Sequence, residues 1–145
     1  MEKVLNIRKC TKEDADSIFK IICQLEGENP SRDDFNKVFF SNLEKPEIYY
    51  IIAEFNSKII GFASMHIQQL LHHTGNVAEI EELFIDPFYR NRGYGEELLS
   101  YLRDIAENKN CKHFEISCNV VRDKAYDFFS NRGMNPTHRK FTERL

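Results

Sequence analysis

The chain has 145 residues, of which 41% are hydrophobic and 30% charged, with four prolines, six glycines and a formal net charge of −3 at pH 7. That length and balance fit one globular domain with its own core and exclude a disordered or collagen-like chain. Basic and acidic residues are interspersed, so a polyphosphate backbone finds no extended positive face and no nucleic-acid partner is expected.

No apolar run approaches the roughly 18 residues of a membrane span, and the segment from Met1 to Arg8 lacks the apolar stretch of a signal peptide. The reading is a cytoplasmic protein with no membrane partner. In a reducing compartment Cys10, Cys23, Cys111 and Cys118, which show no C-x-x-C spacing, read as buried free thiols.

The elements follow in chain order. Leu5 to Lys9 reads as a short strand, and Thr11 with Asp14 as a helix cap. Ala15, Ile18, Phe19, Ile22 and Cys23 then form one apolar helical stripe. Ser31 with Asp34 starts a second helix whose stripe is Phe35, Val38, Phe39 and Leu43, and Pro46 closes it. Ile48 to Phe55, the turn Asn56-Ser57 and Lys58 to Leu70 make a long hairpin. After the turn-forming cluster His73 to Asn76, Val77 to Ile85 adds a third antiparallel strand. Gly93 to Asn108 carries Leu98, Leu99, Leu102, Ile105 and Ala106 at helical spacing, and His113 to Cys118 reads as a buried strand after a parallel crossover. Asp123 to Arg132 is the last helix, stopped by Gly133, and the tail from Thr137 to Leu145 is expected to close the sheet. The order is β-αα-βββ-α-β-α-β, an α/β (α+β) domain spanning 1–145, with a mixed central sheet of about six to seven strands flanked by four helices.

The connection Arg90-Asn-Arg92-Gly93-Tyr94-Gly95 is basic and glycine-rich, and it opens a helix. Glycines let backbone N–H groups approach a ligand closely, and the helix start adds unpaired donors and partial positive charge. A diphosphate suits this chemistry, with Arg90 and Arg92 adding charge-assisted contacts. Two glycines two residues apart also describe an ordinary loop-to-helix turn, so the motif gains meaning from the βαβ setting around it.

Leu83-Phe-Ile-Asp-Pro-Phe-Tyr-Arg-Asn-Arg-Gly-Tyr-Gly95 resembles the acetyl-CoA signature R/Q-x-x-G-x-G/A of the GNAT acetyltransferases. Asn119, Ala125, Phe128, Phe129 and Gly133-Met134 resemble that superfamily's later N-x-x-A-x-x-F-Y-x-x-x-G-F pattern, with one shift after the Asn. A narrower likeness, to the bacterial aminoalkylphosphonate N-acetyltransferases, lies in His66-Ile-Gln68, Leu71-His72-His73, Glu79-Ile80, Asn119-Val120 and His138-x-x-Phe141-Thr142. The resemblance implies the GNAT fold and acetyl transfer from acetyl-CoA to a primary amine of a small molecule. A homodimer is the family's common state and hence the expectation here.

The resemblance also implies roles. Leu83, Phe84 and Ile85 lie on the strand that splays to admit the thioester, with the Ile85 N–H polarising its carbonyl; Arg90, Arg92, Gly93, Tyr94, Gly95, Asn119 and Phe128 complete the cofactor set. Family members with a carboxylate base on this strand hold it six residues before the Ile85 position, at Glu79. Period-two alternation puts Glu79 and Glu81 on one face and Glu82 on the other, making Glu81 the second candidate. The family's usual acid, a Tyr, is replaced by Phe129, which has no proton to give; Tyr126, one turn earlier, is the substitute. His66 and Gln68 share a strand face, with His72 and His73 at its end, and these with His138 form the expected substrate region. A divalent metal held by His and Glu, or an anion held by protonated His, both fit, and neither is fixed. A protein or peptide acetyltransferase and a non-catalytic acyl-CoA-binding module remain the alternatives.

Overall fold

The computed structural model describes residues 4–118 and 123–145. The chain divides into two compact units, Met1–Glu115 and Ile116–Leu145. The elements are β1 (Asn6–Lys9), α1 (Ala15–Glu26), α2 (Arg32–Leu43), β2 (Ile48–Phe55), β3 (Lys58–Leu70), β4 (Gly75–Ile85), α3 (Tyr94–Asn108), β5 (His113–Ile116) and α4 (Asp123–Ser130), with 3₁₀ turns at Lys12–Asp14 and Pro87–Tyr89.

Local chemistry accounts for most boundaries. The Thr11 N–H donates to Asp14 Oδ2 at 2.7 Å, closing the turn that leads into α1. Gly27, at φ 71°, ends that helix. Ser31 Oγ accepts from the Asp34 N–H at 3.3 Å and starts α2. Asn56 and Ser57 at φ 46° and 67° form the tight connection whose twist matches a two-residue hairpin.

The strands lie in the order β1-β2-β3-β4-β5. β1 to β4 are successively antiparallel, and their register shifts twice, at Ala53/Glu54 against β3 and at Ser64/Met65 against β4. The first shift leaves Ile60 as the extra residue, and the second leaves Glu81. One sheet face is covered by α1 and α2, where Ala15, Ile18, Ile21 and Phe39 bury themselves against Ile52, Phe62 and Phe84. Phe39 stacks on Tyr50 at 5.6 Å between ring centroids. α3 meets β3 and β4 and buries Leu98, Leu99, Leu102 and Ala106. At its start Tyr94 packs with Ala53, Phe55 and Ile60.

In the second unit, α4 is closed by Gly133 at φ 81° and by the Met134 N–H donating to Phe129 O at 3.2 Å. The Arg132 guanidinium lies 3.7 Å from the Phe128 ring centroid, and its Nη1 donates to Phe128 O at 2.9 Å.

Four expectations are corrected. The described residues form five strands rather than six to seven. The tail from Thr137 to Leu145 is exposed and joins no ladder, because its apolar residues, Phe141 and Leu145, are isolated in a polar run without strand alternation. Val38 is 57% exposed, while Ile21 takes a buried place on the first helix. Cys10 alone is buried; Cys23 and Cys111 are intermediate and Cys118 is exposed.

Candidate active site

β4 supplies the site, and its bulge decides which side chains meet. Paired residues across an antiparallel ladder share a face. Phe62 stands opposite Phe84, Ser64 opposite Glu82 and His66 opposite Glu79, so Glu79 and Glu82 both project from the face covered by α1 and α2. This corrects the expected alternation. The extra residue, Glu81, is exposed and absorbs the half-turn that would have separated them.

Ser64 holds the bulge. It is fully buried, its Oγ accepts from the Glu82 N–H at 3.1 Å, and its hydroxyl donates to Glu82 Oε1 at 2.6 Å. Tyr50, opposite Ser64 on β2, shares this face, and its phenol oxygen accepts from Asn42 Nδ2 of α2 at 2.7 Å. Burial first, and then the negative charge of Glu82, push the Tyr50 phenol upward. Ser64, Tyr50 and Asn42 were missed from sequence, and Glu82 was set on the opposite face, because only strand register and the packing of α2 bring the four together.

The N–H of Asp86 donates to Ile60 O at 2.7 Å, and that of Glu82 donates to Ser64 Oγ. Backbone groups alternate along a strand, so the N–H groups of Leu83 and Ile85 face the other edge of β4, toward β5. β5 has four residues against eleven in β4. Lys112 N–H donates to Asn76 O at 2.8 Å, which sets β5 beside the start of β4. The Phe84 side chain is core, buried beside Phe62, and Leu83 and Ile85 are half-buried. A Cβ at Gly61 would lie 2.8 Å from Ile85 Cδ1 and 3.1 Å from Phe84 O, so this glycine lets β3 lie close to that stretch.

The strand runs into the glycine-rich connection. Asp86 accepts from the Phe88 N–H at 2.9 Å, and Arg90 Nε donates to Ile85 O at 2.8 Å. The Arg92 guanidinium stands over Phe88 and Tyr89, 5.3 and 5.6 Å from their ring centroids. Asn91 at φ 62° and Gly93 at φ 86° turn the backbone sharply, and Gly93 precedes the first residue of α3, Tyr94. A Cβ at Gly93 would meet nothing within 4 Å, so backbone conformation, not crowding, asks for glycine there. Gly95 lies in the first turn, whose leading N–H groups have no helical partner. These donors, with exposed Arg90 and Arg92 beside them, fit a diphosphate.

The histidines fall into two groups. His66 is half-buried on the Glu79 face, with exposed Gln68 two residues on. His72 and His73 sit in the β3–β4 turn, where the His73 ring packs at a tilt against those of His72 and of His113 of β5, at 4.2 and 4.1 Å between centroids. His73 Nε2 lies 3.7 Å from Glu115 Oε2. His113 and Glu115 drew no attention in sequence, since only the crossover places them beside that turn. Among the described residues no three His, Cys, Asp or Glu side chains are arranged to hold a metal ion. In the second unit, Tyr126 is 48% exposed and His138 is exposed, with its Nδ1 2.6 Å from Thr137 Oγ1. Asn119 lies outside the described residues.

Three likenesses bear on this arrangement. The chain is 32% identical over 142 residues to the aminoalkylphosphonate N-acetyltransferase of Salmonella typhimurium, covering 98% of this chain and 92% of that protein. Its fold matches the aminoglycoside N-acetyltransferase AAC(6')-Iy, solved in complex with CoA, at a TM-score of 0.88 and 20% identity, covering 100% of this chain and 97% of that one. It also matches a Bacillus halodurans C-125 transcriptional regulator at a TM-score of 0.90 and 17% identity, over 98% and 100% of the two chains. The Acetyltransferase (GNAT) family model matches residues 12–134, across both units. The chain belongs to that family and is an N-acetyltransferase whose cosubstrate is acetyl-CoA.

Proposed function

We propose that the protein acetylates a primary amine of a small molecule, with an aminoalkylphosphonate as the first acceptor to test, and that residues 1–145 make a single GNAT domain. One observation carries the reading: β4 bears a carboxylate, Glu79, on the face under α1 and α2, edge-directed N–H groups at Leu83 and Ile85, and then the donor-rich turn of residues 90–95. The choice of acceptor rests on the 32% identity to the Salmonella enzyme.

Acetyl-CoA, when bound, supplies an acetyl group already activated as a thioester. The backbone N–H groups of Gly93 to Gly95, with Arg90 and Arg92, hold its diphosphate. The Ile85 N–H donates to the carbonyl oxygen and favours the charge that develops there. Glu79 takes a proton from the acceptor ammonium, directly or through one water, leaving a neutral amine to attack. Tyr126 is the proposed proton donor to the departing sulfur, since Phe129 carries no transferable proton. An unassisted thiolate, with an ordinary pKa near 8.5, also leaves at neutral pH.

Turnover of acetyl-CoA with aminoalkylphosphonates, amino acids, polyamines and a lysine peptide, each with and without a divalent cation, tests the reading. Acetylation of a small amine well above the peptide supports it. Preference for the peptide, or no turnover of any small amine, overturns it.

A further inference from the structure

We propose that Glu82 is a second carboxylate that binds the acceptor's ammonium beside Glu79, and that Ser64 positions it. This rests on the acetylation of a small amine proposed above.

Without the bulge at Glu81, Glu82 would face away from Glu79. With it, the two stand opposite Ser64 and His66, consecutive same-face positions of β3. Same-face neighbours on a strand lie about 7 Å apart. An ammonium carries three hydrogens and can meet two carboxylates at that spacing. Both glutamates are half-buried, so each keeps part of its surface within reach of a ligand.

No described Lys, Arg or His makes an ion pair with either glutamate. Two other acids of this unit, Asp14 and Glu54, do have one: they share Arg8 at 2.8 and 3.2 Å. Ser64 spends its single proton on Glu82 Oε1, and Oε2 takes no hydrogen bond from a described residue. Tyr50 stands opposite Ser64 on the same face, its oxygen accepting from Asn42, so its own proton remains to be given. Two partly desolvated carboxylates on one face repel each other, and a cationic ligand between them relieves that cost.

The roles divide. Glu79 removes the proton, and its loss lowers kcat. Glu82 binds the ammonium, and its loss raises the amine KM. Ser64 acts only through Glu82, fixing the carboxylate by its hydroxyl and the bulge by its lone pair.

Steady-state kinetics with the most active amine of the panel, together with calorimetric titration of acetyl-CoA, test this in the full chain. Glu82→Gln is the decisive variant: its amide oxygen still accepts from Ser64, so the bulge survives and only the charge is lost. The expected result is an amine KM raised at least 10-fold, kcat within about threefold of native, and unchanged acetyl-CoA affinity. Glu82→Asp retains the charge and falls between the two, and Ser64→Ala raises KM by a smaller factor. Native amine KM in Glu82→Gln overturns the assignment while leaving the acetylation intact. Native KM in Ser64→Ala removes the positioning role. Failure of the native chain to acetylate any amine removes the proposed acetylation and this assignment together.

Discussion

Glu79 and Glu82 project from the same face of β4 although they stand an odd number of positions apart, because one residue between them is left over by the register with β3. The strand thereby presents two acids to one side and turns the N–H groups of Leu83 and Ile85 to the edge that faces β5. The proposed base and the proposed carbonyl donor are thus set by a single irregularity.

Replacing Glu79 by Gln removes the base without changing side-chain volume. The rate at neutral pH is expected to fall by about 10²-fold or more, the usual scale for a general base. Because the variant still carries the loop at residues 90–95, its acetyl-CoA affinity stays native. A near-normal kcat in a stopped assay with saturating amine removes Glu79 from the role.

Gly93 tests the turn that opens α3. Its left-handed backbone, with open space where a Cβ would be, makes the cost of Gly93→Ala one of conformation, about 1–2 kcal/mol. Asn tolerates that region better, so Gly93→Asn should lie nearer native in urea unfolding. Both variants weaken acetyl-CoA binding if these amides hold the diphosphate, and equal affinity in calorimetry counts against that contact.

Acid sensitivity is expected from the Arg8 network. The Arg8 guanidinium, 2.8 Å from Asp14 Oδ2, holds the buried Asp14 carboxyl below its ordinary range, with the Thr11 N–H helping. The group is lowered on folding, so its stabilisation is present above the unfolded pKa of about 3.9 and is lost as pH falls through the lower folded value. Asp14→Asn should cost about 1–3 kcal/mol at pH 7 and flatten the decline below about pH 4. Urea midpoints across pH 2 to 7 give both numbers.

The thiols should react in order of exposure. Desolvation pushes Cys10 up to about 12, so at pH 8 its thiolate fraction is on the order of 10⁻⁴. Cys118 is exposed. A chromogenic disulfide added to native protein should therefore label Cys118 first and reach Cys10 only on unfolding, as peptide mapping would show. Early loss of the Cys10 thiol would contradict the burial.

Local rules carried the element order as far as α4, though not the strand expected of the tail. The Asn56-Ser57 hairpin, both helix starts at Thr11 and Ser31, and the extents of β2 and β3 follow from short-range pattern and turn chemistry, which depend on neighbours in sequence. The glycine-rich motif at 90–95 was legible for the same reason. What local pattern could not foresee is any result of pairing: the extra residue Glu81, which reverses period-two counting beyond it, the clamp of Ser64 on Glu82, and the contact of His73 with His113 across the crossover. Strand register is decided by which hydrophobic faces bury against α1 and α2, a sum over residues far apart in the chain. The sequence by itself therefore determined the family and the order of elements from β1 to α4. The tertiary structure decided which acids of β4 look the same way.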